Sequence, residues 1–383
     1  MRVTGIDTYV VGNPWKNWVF AVVKTDDGLT GLGEGTLNGF ARTVEAAIHE
    51  LEPLVVGRDP FDIADIALHL WRDVYSDGGQ IHGSALAAIE LGLWDILGKA
   101  TGQPLYRLWG GRANASLRAY ANGWYRGGRT PEGIYEDARE VVSRGYTALK
   151  FDPFGSAWRI VDREDMNLAL ALIEAVRKAV GPTVDILIEG HNRFTVSTAL
   201  QFADQMAVFK PTWFEAPVPP QRISATVEVA RRSPVPVAVG EDYYCREQFA
   251  ELLQYDAVHI IQLEPQFLGM TAARDVVGMV AAHNGVTAPH SAQGPVCSLA
   301  CAHLNAATPH FFLHEIFDEF NEPWEARLLS HPLKVERGRV MPPDRPGLGA
   351  ELNLDEVRQH PYNPNNFLPL FRSGWERREG NVP

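Results

Sequence analysis

The sequence predicts a (β/α)-barrel with added segments at both ends. Two observations lead there. From about residue 116, short β-type runs alternate with helical patterns. The runs cover 117–122, 147–152, 185–189, 212–215, 235–241, 257–264, 286–290 and 311–316. Eight strands with intervening helices fit a closed barrel better than an open sheet. The second observation is chemical. Glu189, Glu215 and Glu241 each close an apolar run, and 26 residues separate each from the next. A repeat of that length fits one strand plus one helix. The three carboxylates are therefore expected side by side at the C-terminal ends of parallel strands, where barrel enzymes carry their chemistry.

Residues 3–35 read as a small β meander, with Asp26-Asp27-Gly28 as a hairpin signal. Gly31-Leu32-Gly33-Glu34-Gly35 is glycine-rich. It follows a hairpin, and its third glycine falls at the wrong spacing for a dinucleotide fingerprint. Residues 13–18 form a polar and aromatic loop, either a mobile flap over a site or a loop whose tryptophans pack on the domain. Residues 41–52 have helical periodicity. Pro60, after Asp59, is expected to open a second helix running to about Tyr75. The apolar stretch 84–99 predicts a buried helix, stopped by Gly102-Gln103-Pro104. The clearest barrel helix runs from Asp165 to Val180, with Asp162 as N-cap and Gly181-Pro182 as the stop. The Pro-, Gly-, Asn- and Arg-rich tail is expected to fold back over the N-terminal region. These readings divide the chain at 1–115, 116–325 and 326–383.

A formal net charge of −12 argues against a nucleic-acid partner and leaves no basic patch for a membrane surface. No uncharged apolar run is long enough to span a bilayer, and the N-terminus lacks the shape of a signal peptide. Three cysteines are too few and too scattered for a disulfide framework, which points to a reducing, cytoplasmic setting. Cys297 and Cys301 can share a helix face. No second Cys/His pair completes a zinc site, so a packing role is expected.

Carboxylates do not gather in an apolar setting without a cation. Three monodentate glutamates offer hard oxygen ligands suited to Mg²⁺ and leave positions open for water or substrate. The plainer alternative, ion pairing with Lys or Arg around the mouth, weighs less for three acids in register. His191 follows Glu189 by two residues and is expected on the same side of the strand. His290 ends the seventh strand. Glu264 ends the sixth, where a carboxylate can hold the imidazole's tautomer and raise its basicity. Lys150 and Asp152 share one face of the second strand. Lys150 is a candidate for the substrate carboxylate, the alternative being an ion pair inside the barrel. Glu315 is placed to hydrogen-bond a substrate. The Asn13–Trp18 loop, the loop near Gly79, Trp124, Tyr125 and Tyr243 are candidate selectivity elements. A metal beside a His–carboxylate base suits removal of a proton α to a carboxylate. A second imidazole can then act as acid on a β-hydroxyl.

These residues resemble the enolase superfamily, mandelate racemase branch, over nearly the whole chain. The resemblance is carried by Gly31-Leu32-Gly33-Glu34, the stretch 93–99, Gly102-Gln103-Pro104-Leu105, Leu108-Trp109-Gly110-Gly111 and Pro346-Gly347-Leu348-Gly349. It implies a modified (β/α)₇β barrel under an α+β capping domain, with bound Mg²⁺. Within that branch the stretches 121–125, 148–155 and 186–191 are most similar to sugar-acid dehydratases of the galactonate and gluconate type. The match implies metal ligands at Glu189, Glu215 and Glu241. It implies a base at His290, partnered by Glu264, and an acid at His191. It further implies a small sugar-acid substrate and a homo-oligomer. Three departures stand out. Glu264 replaces the usual Asp, Asp242 follows the third ligand where relatives often carry Arg, and Asp152 replaces a second strand-two lysine. The expected reaction is dehydration of an aldonic acid to a 2-keto-3-deoxy acid. The rivals are a racemase or epimerase and a non-catalytic sugar-acid-binding homologue.

Overall fold

Buried Val3, Ile6, Val19, Ala21 and Val23 give one apolar face to an antiparallel meander, in a computed structural model that describes residues 1–378. Its strands are β1 (Val3–Asn13), β2 (Lys16–Thr25) and β3 (Thr30–Glu34), in the order β1-β2-β3. Helices α1 (Ala41–Leu51), α2 (Ile63–Arg72) and α3 (Gly79–Thr101) cover that face, using Val44, Ile48, Ile66, Leu70, Ile89 and Leu93. The second helix starts three residues later than Pro60 suggests. Asp59 accepts the Phe61 and Asp62 amides through its side chain and carbonyl, so residues 59–62 form a turn. The glycine-rich motif serves packing. A Cβ on Gly31 or Gly33 would stand 1.9 Å from a backbone oxygen of α3, so only glycine lets β3 press on that helix.

Of the two readings of residues 13–18, packing of the tryptophans on the domain is the one the structure shows. β1 and β2 run through it, leaving Pro14-Trp15 as a two-residue hairpin tip. Trp15 is buried and stacked on Phe317 at 4.8 Å, and Trp18 packs against Phe20 and Trp324.

Eight parallel strands follow: β4 (Leu117–Ala121), β5 (Ala148–Phe151), β6 (Asp185–Glu189), β7 (Trp213–Glu215), β8 (Val237–Val239), β9 (Ile260–Ile261), β10 (Val286–Thr287) and β11 (His314–Ile316). They pair in sequence from β4 to β10. β11 pairs with β4, and a parallel bridge from Thr287 to Phe311 closes the ring. A helix follows each of the first seven strands, so the barrel is (β/α)₇β under an α+β cap. The later strands are shorter than their apolar runs: β10 loses residues at its mouth end, β11 at the opposite end, and β8 and β9 at both. Tyr120, Leu187, Trp213, Ala238 and Leu313 form a separate buried cluster inside the barrel, the close-packed layer on which the site stands.

After a hairpin, β12 (Lys334–Glu336) and β13 (Arg339–Met341), added antiparallel to β4, the chain returns to the cap. Asp95 of α3 joins three segments. It accepts the Leu32 amide at 2.9 Å and the Leu348 amide at 2.7 Å and pairs with Lys99. The tail then runs along the β1–β2 hairpin, with Asn17 donating to the carbonyls of Asn363 and Asn366. It goes further than the cap. Trp375 donates to Gly155 O at 3.1 Å, which brings the tail onto the barrel mouth. Of the segment expected to make this return, residues 379–383 lie outside the described residues. Among the described residues no helix is long and apolar enough to cross a membrane.

Candidate active site

Glu189 and Glu215 stand opposite one another in register on β6 and β7, and Glu241 follows β8. One carboxylate oxygen from each lies within 4.8 Å of the others. Trp213 fixes Glu215 from the barrel interior by donating Nε1–H to Oε2 at 2.8 Å. The chain leaves these strands under strain, with Ala216, His191 and Asn192 all in the left-handed region at φ of 38°, 45° and 56°. The carboxyls resist ionising together. Burial and then the Glu189 charge push Glu215 well above its usual range. Burial and Glu189 likewise raise Glu241 to about 7. Burial also opposes ionisation of Glu189, but His191 and Lys150 outweigh it and hold that carboxyl low. A divalent cation among the three relieves this repulsion. An all-oxygen set of this spacing fits a hard cation.

Lys150 takes the interior ion-pairing role while also bordering the cavity that His191 and His290 line. Its ammonium lies 3.1 Å from Glu189 and 3.0 Å from Glu315 and hydrogen-bonds Glu215. Glu315 is also engaged on both oxygens, by Asn122 Nδ2 at 2.8 Å and the Ser291 amide at 2.7 Å. Burial pushes its carboxyl up, but Lys150, His290 and these donors hold it down at about 2. Both residues therefore support the floor of the site.

Two imidazoles flank the cradle, each backed by a carboxylate. His290 Nδ1 lies 2.7 Å from Glu264 Oε2, so the longer side chain at 264 reaches its partner. Gln266 N donates to the other oxygen at 2.9 Å, and Cys297 Sγ packs at 3.6 Å. Cys297 and Cys301 are both buried on the helix Pro295–Ala307 beneath this pair, the packing role expected of them. Burial works against a charged His290, yet Glu315, Glu241 and the Glu264 hydrogen bond raise it to about 10. Some of that charge belongs to the cradle, so a cation there would lower the value.

His191 Nδ1 lies 2.6 Å from Asp152 Oδ2. Asp152 is thus a partner of the imidazole rather than a substrate contact. Its side chain is fully buried, and Phe154 N and Arg193 Nη2 occupy it as well. Burial opposes a charge on His191, and Glu189 with Asp152 overcome it and raise the ring. His191 shares a cavity with Glu189, but alternation along a strand is not the cause. β6 ends at Glu189, and the left-handed turn at 191–192 delivers the ring.

Glu189, Glu241, His191 and His290 border one cavity of about 210 Å³. Tyr125 lines it. Trp124 does not, because its Nε1–H is tied to Lys150 O at 2.8 Å and its ring packs on Phe151. Tyr243 is also buried, against Phe249, whereas Gln80 beside Gly79 reaches the cavity. Asp242 borders it and is held by the Asn192 side chain. Other groups line the cavity or stand behind its wall. Lys16 arrives from the cap hairpin and donates to Ala292 O at 2.8 Å. Trp375 sets its ring edge-on to His191 at 5.5 Å. Arg193, fully buried, donates to Gly155 O at 2.7 Å behind Asp152. A charged residue so near His191 was the available signal for Arg193. The weakly patterned tail gave none for Trp375.

Comparison with known proteins agrees with this geometry. The family described as "Enolase C-terminal domain-like" matches residues 133–357. The N-terminal domain of "Mandelate racemase / muconate lactonizing enzyme" matches residues 10–110. The D-galactonate dehydratase of Verminephrobacter eiseniae (strain EF01-2) is 31% identical over 389 residues, covering 100% of this chain and 99% of its own. The D-gluconate dehydratase of Thermoproteus tenax is 32% identical over 354 residues, covering 91% and 71%. The crystal structure of a mandelate racemase/muconate lactonizing enzyme from Jannaschia sp. CCS1 aligns with a TM-score of 0.89 at 29% identity, over 95% of this chain and 98% of that one.

Proposed function

Because the chain belongs to the mandelate racemase/muconate lactonizing enzyme family of the enolase superfamily, we propose that it is a hydro-lyase, a Mg²⁺-dependent dehydratase acting on an aldonic acid. The observation that carries this reading is the pair of His–carboxylate couples, His290–Glu264 and His191–Asp152, each with a buried carboxylate, on the two sides of one carboxylate cradle.

Bound Mg²⁺ would be held by Glu189, Glu215 and Glu241 and would supply Lewis-acid stabilisation of charge on the substrate carboxylate. His290 removes the proton from C2. Glu264 accepts from its Nδ1, which leaves Nε2 free to act as base. The electron pair from the broken C2–H bond first passes into the substrate carboxylate as an enediolate, and it then forms the C2–C3 double bond as the C3–O bond breaks. His191 gives its proton to the departing 3-hydroxyl, which leaves as water. The resulting enol tautomerises to the 2-keto-3-deoxy acid. Lys150 balances the charge beneath the cradle, and the buried walls exclude bulk water.

The experiment is a panel of aldonic acids incubated with the protein and Mg²⁺ and assayed for keto acid. Formation of a 2-keto-3-deoxy acid, lost on chelation, is the expected result. Two opposed imidazoles also suit a racemase or epimerase. Inversion at C2 with solvent deuterium incorporation and no keto acid would select that reading.

A further inference from the structure

Arg378 lies where the tail reaches the barrel mouth, and it is 7% exposed. Neither of its Nη atoms has a hydrogen-bond partner among the described residues. Its guanidinium rests over Phe317 at 4.7 Å and near Trp15 at 5.9 Å, and it borders the same cavity as His191 and His290. Gly123 makes room for it, since a Cβ there would stand 2.5 Å from Nη1. The nearby acids are occupied elsewhere. Glu322 pairs with Arg126 at 3.1 Å, and Glu325 accepts from Asn13 and from the Glu322 amide. Burial, then the Arg126 charge, push the guanidinium down to about 9, against the weaker pull of Glu325 and Glu322.

The position is as informative as the isolation. Gly123 follows β4 and Phe317 follows β11, whereas Glu215 and Glu241 close β7 and follow β8. In an eight-stranded ring those pairs of strands face each other across the mouth. A linear substrate with its reacting carboxylate at the glutamates extends its other end toward β4 and β11. A planar guanidinium with free Nη–H groups matches a carboxylate or a phosphate through two parallel hydrogen bonds. A neutral hydroxymethyl end would leave the buried charge uncompensated.

We propose that Arg378 is a specificity-determining residue that pairs with an anionic group at the end of the substrate remote from the reacting carboxylate. The favoured sugar acid then carries two anionic termini. This rests on the reading above only in seating the first carboxylate at the cradle.

The test is equilibrium binding by calorimetry with Mg²⁺ present. A His290→Asn background keeps turnover from consuming the ligand. The probes are D-gluconate, with one anionic end, and D-glucarate and 6-phospho-D-gluconate, with two. At least one two-ended acid should bind about tenfold or more tightly than D-gluconate, the worth of a charge-assisted pair. Which of the two does so separates a carboxylate from a phosphate. Arg378→Gln should erase the preference, and Arg378→Lys should restore part of it. The preference is a ratio within one protein, so general loosening of the tail does not imitate it. Equal affinity for all three acids, or a preference that survives in Arg378→Gln, would overturn the proposal. Failure of the dehydratase reading shows separately, as absence of keto acid from every probe with the protein carrying His290.

Discussion

Asp152 Oδ2 stands 2.6 Å from His191 Nδ1, and Arg193 holds the same carboxylate from behind. The second imidazole is therefore oriented as firmly as the first. Asp152→Asn should lower kcat about 10- to 100-fold with little change in KM, the usual effect of removing a partner behind a working group. Asp152 is one of the groups that raise His191. Without it the ring loses its proton at lower pH, so the high-pH limb of the kcat profile should move down. A pH–rate series on both proteins reads this out. An unchanged limb would mean that His191 is not the acid.

Metal removal should act on stability as well as turnover. Two buried carboxyls and a partly buried third resist joint ionisation, and a cation would relieve them. Chelation should abolish keto-acid formation and lower the melting temperature, and added Mg²⁺ should restore both. At a hundredfold excess over Kd the bound ion contributes about 2.7 kcal/mol. Glu241→Gln should shrink that Mg²⁺-dependent thermal shift.

The cap and tail meet at Gly347, whose φ is 67° and where a Cβ would fall 2.1 Å from Asp95 Oδ1. Gly347→Ala should destabilise the fold by about 1–3 kcal/mol, through backbone strain and loss of the Asp95 junction. Thermal or denaturant unfolding measures it.

Glu34 accepts the Val296 and Cys297 amides at the start of a barrel helix, and its burial raises its carboxyl to about 7. The unfolded chain releases that proton near 4.5, so between these values the folded protein holds more protons. This group's contribution to stability is therefore full below pH 4.5 and falls as pH rises toward 7. Unfolding at a series of pH values should show the decline, and Glu34→Gln should flatten it.

The barrel and the cradle were legible because each is periodic. The glutamates close apolar runs at a constant interval, and one strand-plus-helix unit sets that interval. His290 and Glu264 could be read for the same reason, as neighbours at successive strand ends. What escaped depends on contacts between distant segments. Asp152 looked like a substrate contact because alternation gives its face but not what fills that face, and Arg193 lies behind it. Lys150 looked free for the same reason. The 13–18 stretch looked like a loop because its polar residues hid a strand pair whose tryptophans find their partners at Phe317 and Trp324. Arg378 and Trp375 had no local pattern at all, since only the course of the tail brings them to the mouth.

The division of labour between the two imidazoles is the central claim, and exchange at C2 in deuterium oxide tests it most directly. The measurement follows loss of the C2 proton signal of a turned-over aldonic acid with His290→Asn and His191→Asn, both loaded with Mg²⁺. The account predicts that His290→Asn shows no exchange while still binding the metal. His191→Asn should retain exchange and lose dehydration. Exchange at the unmodified rate in His290→Asn would contradict it.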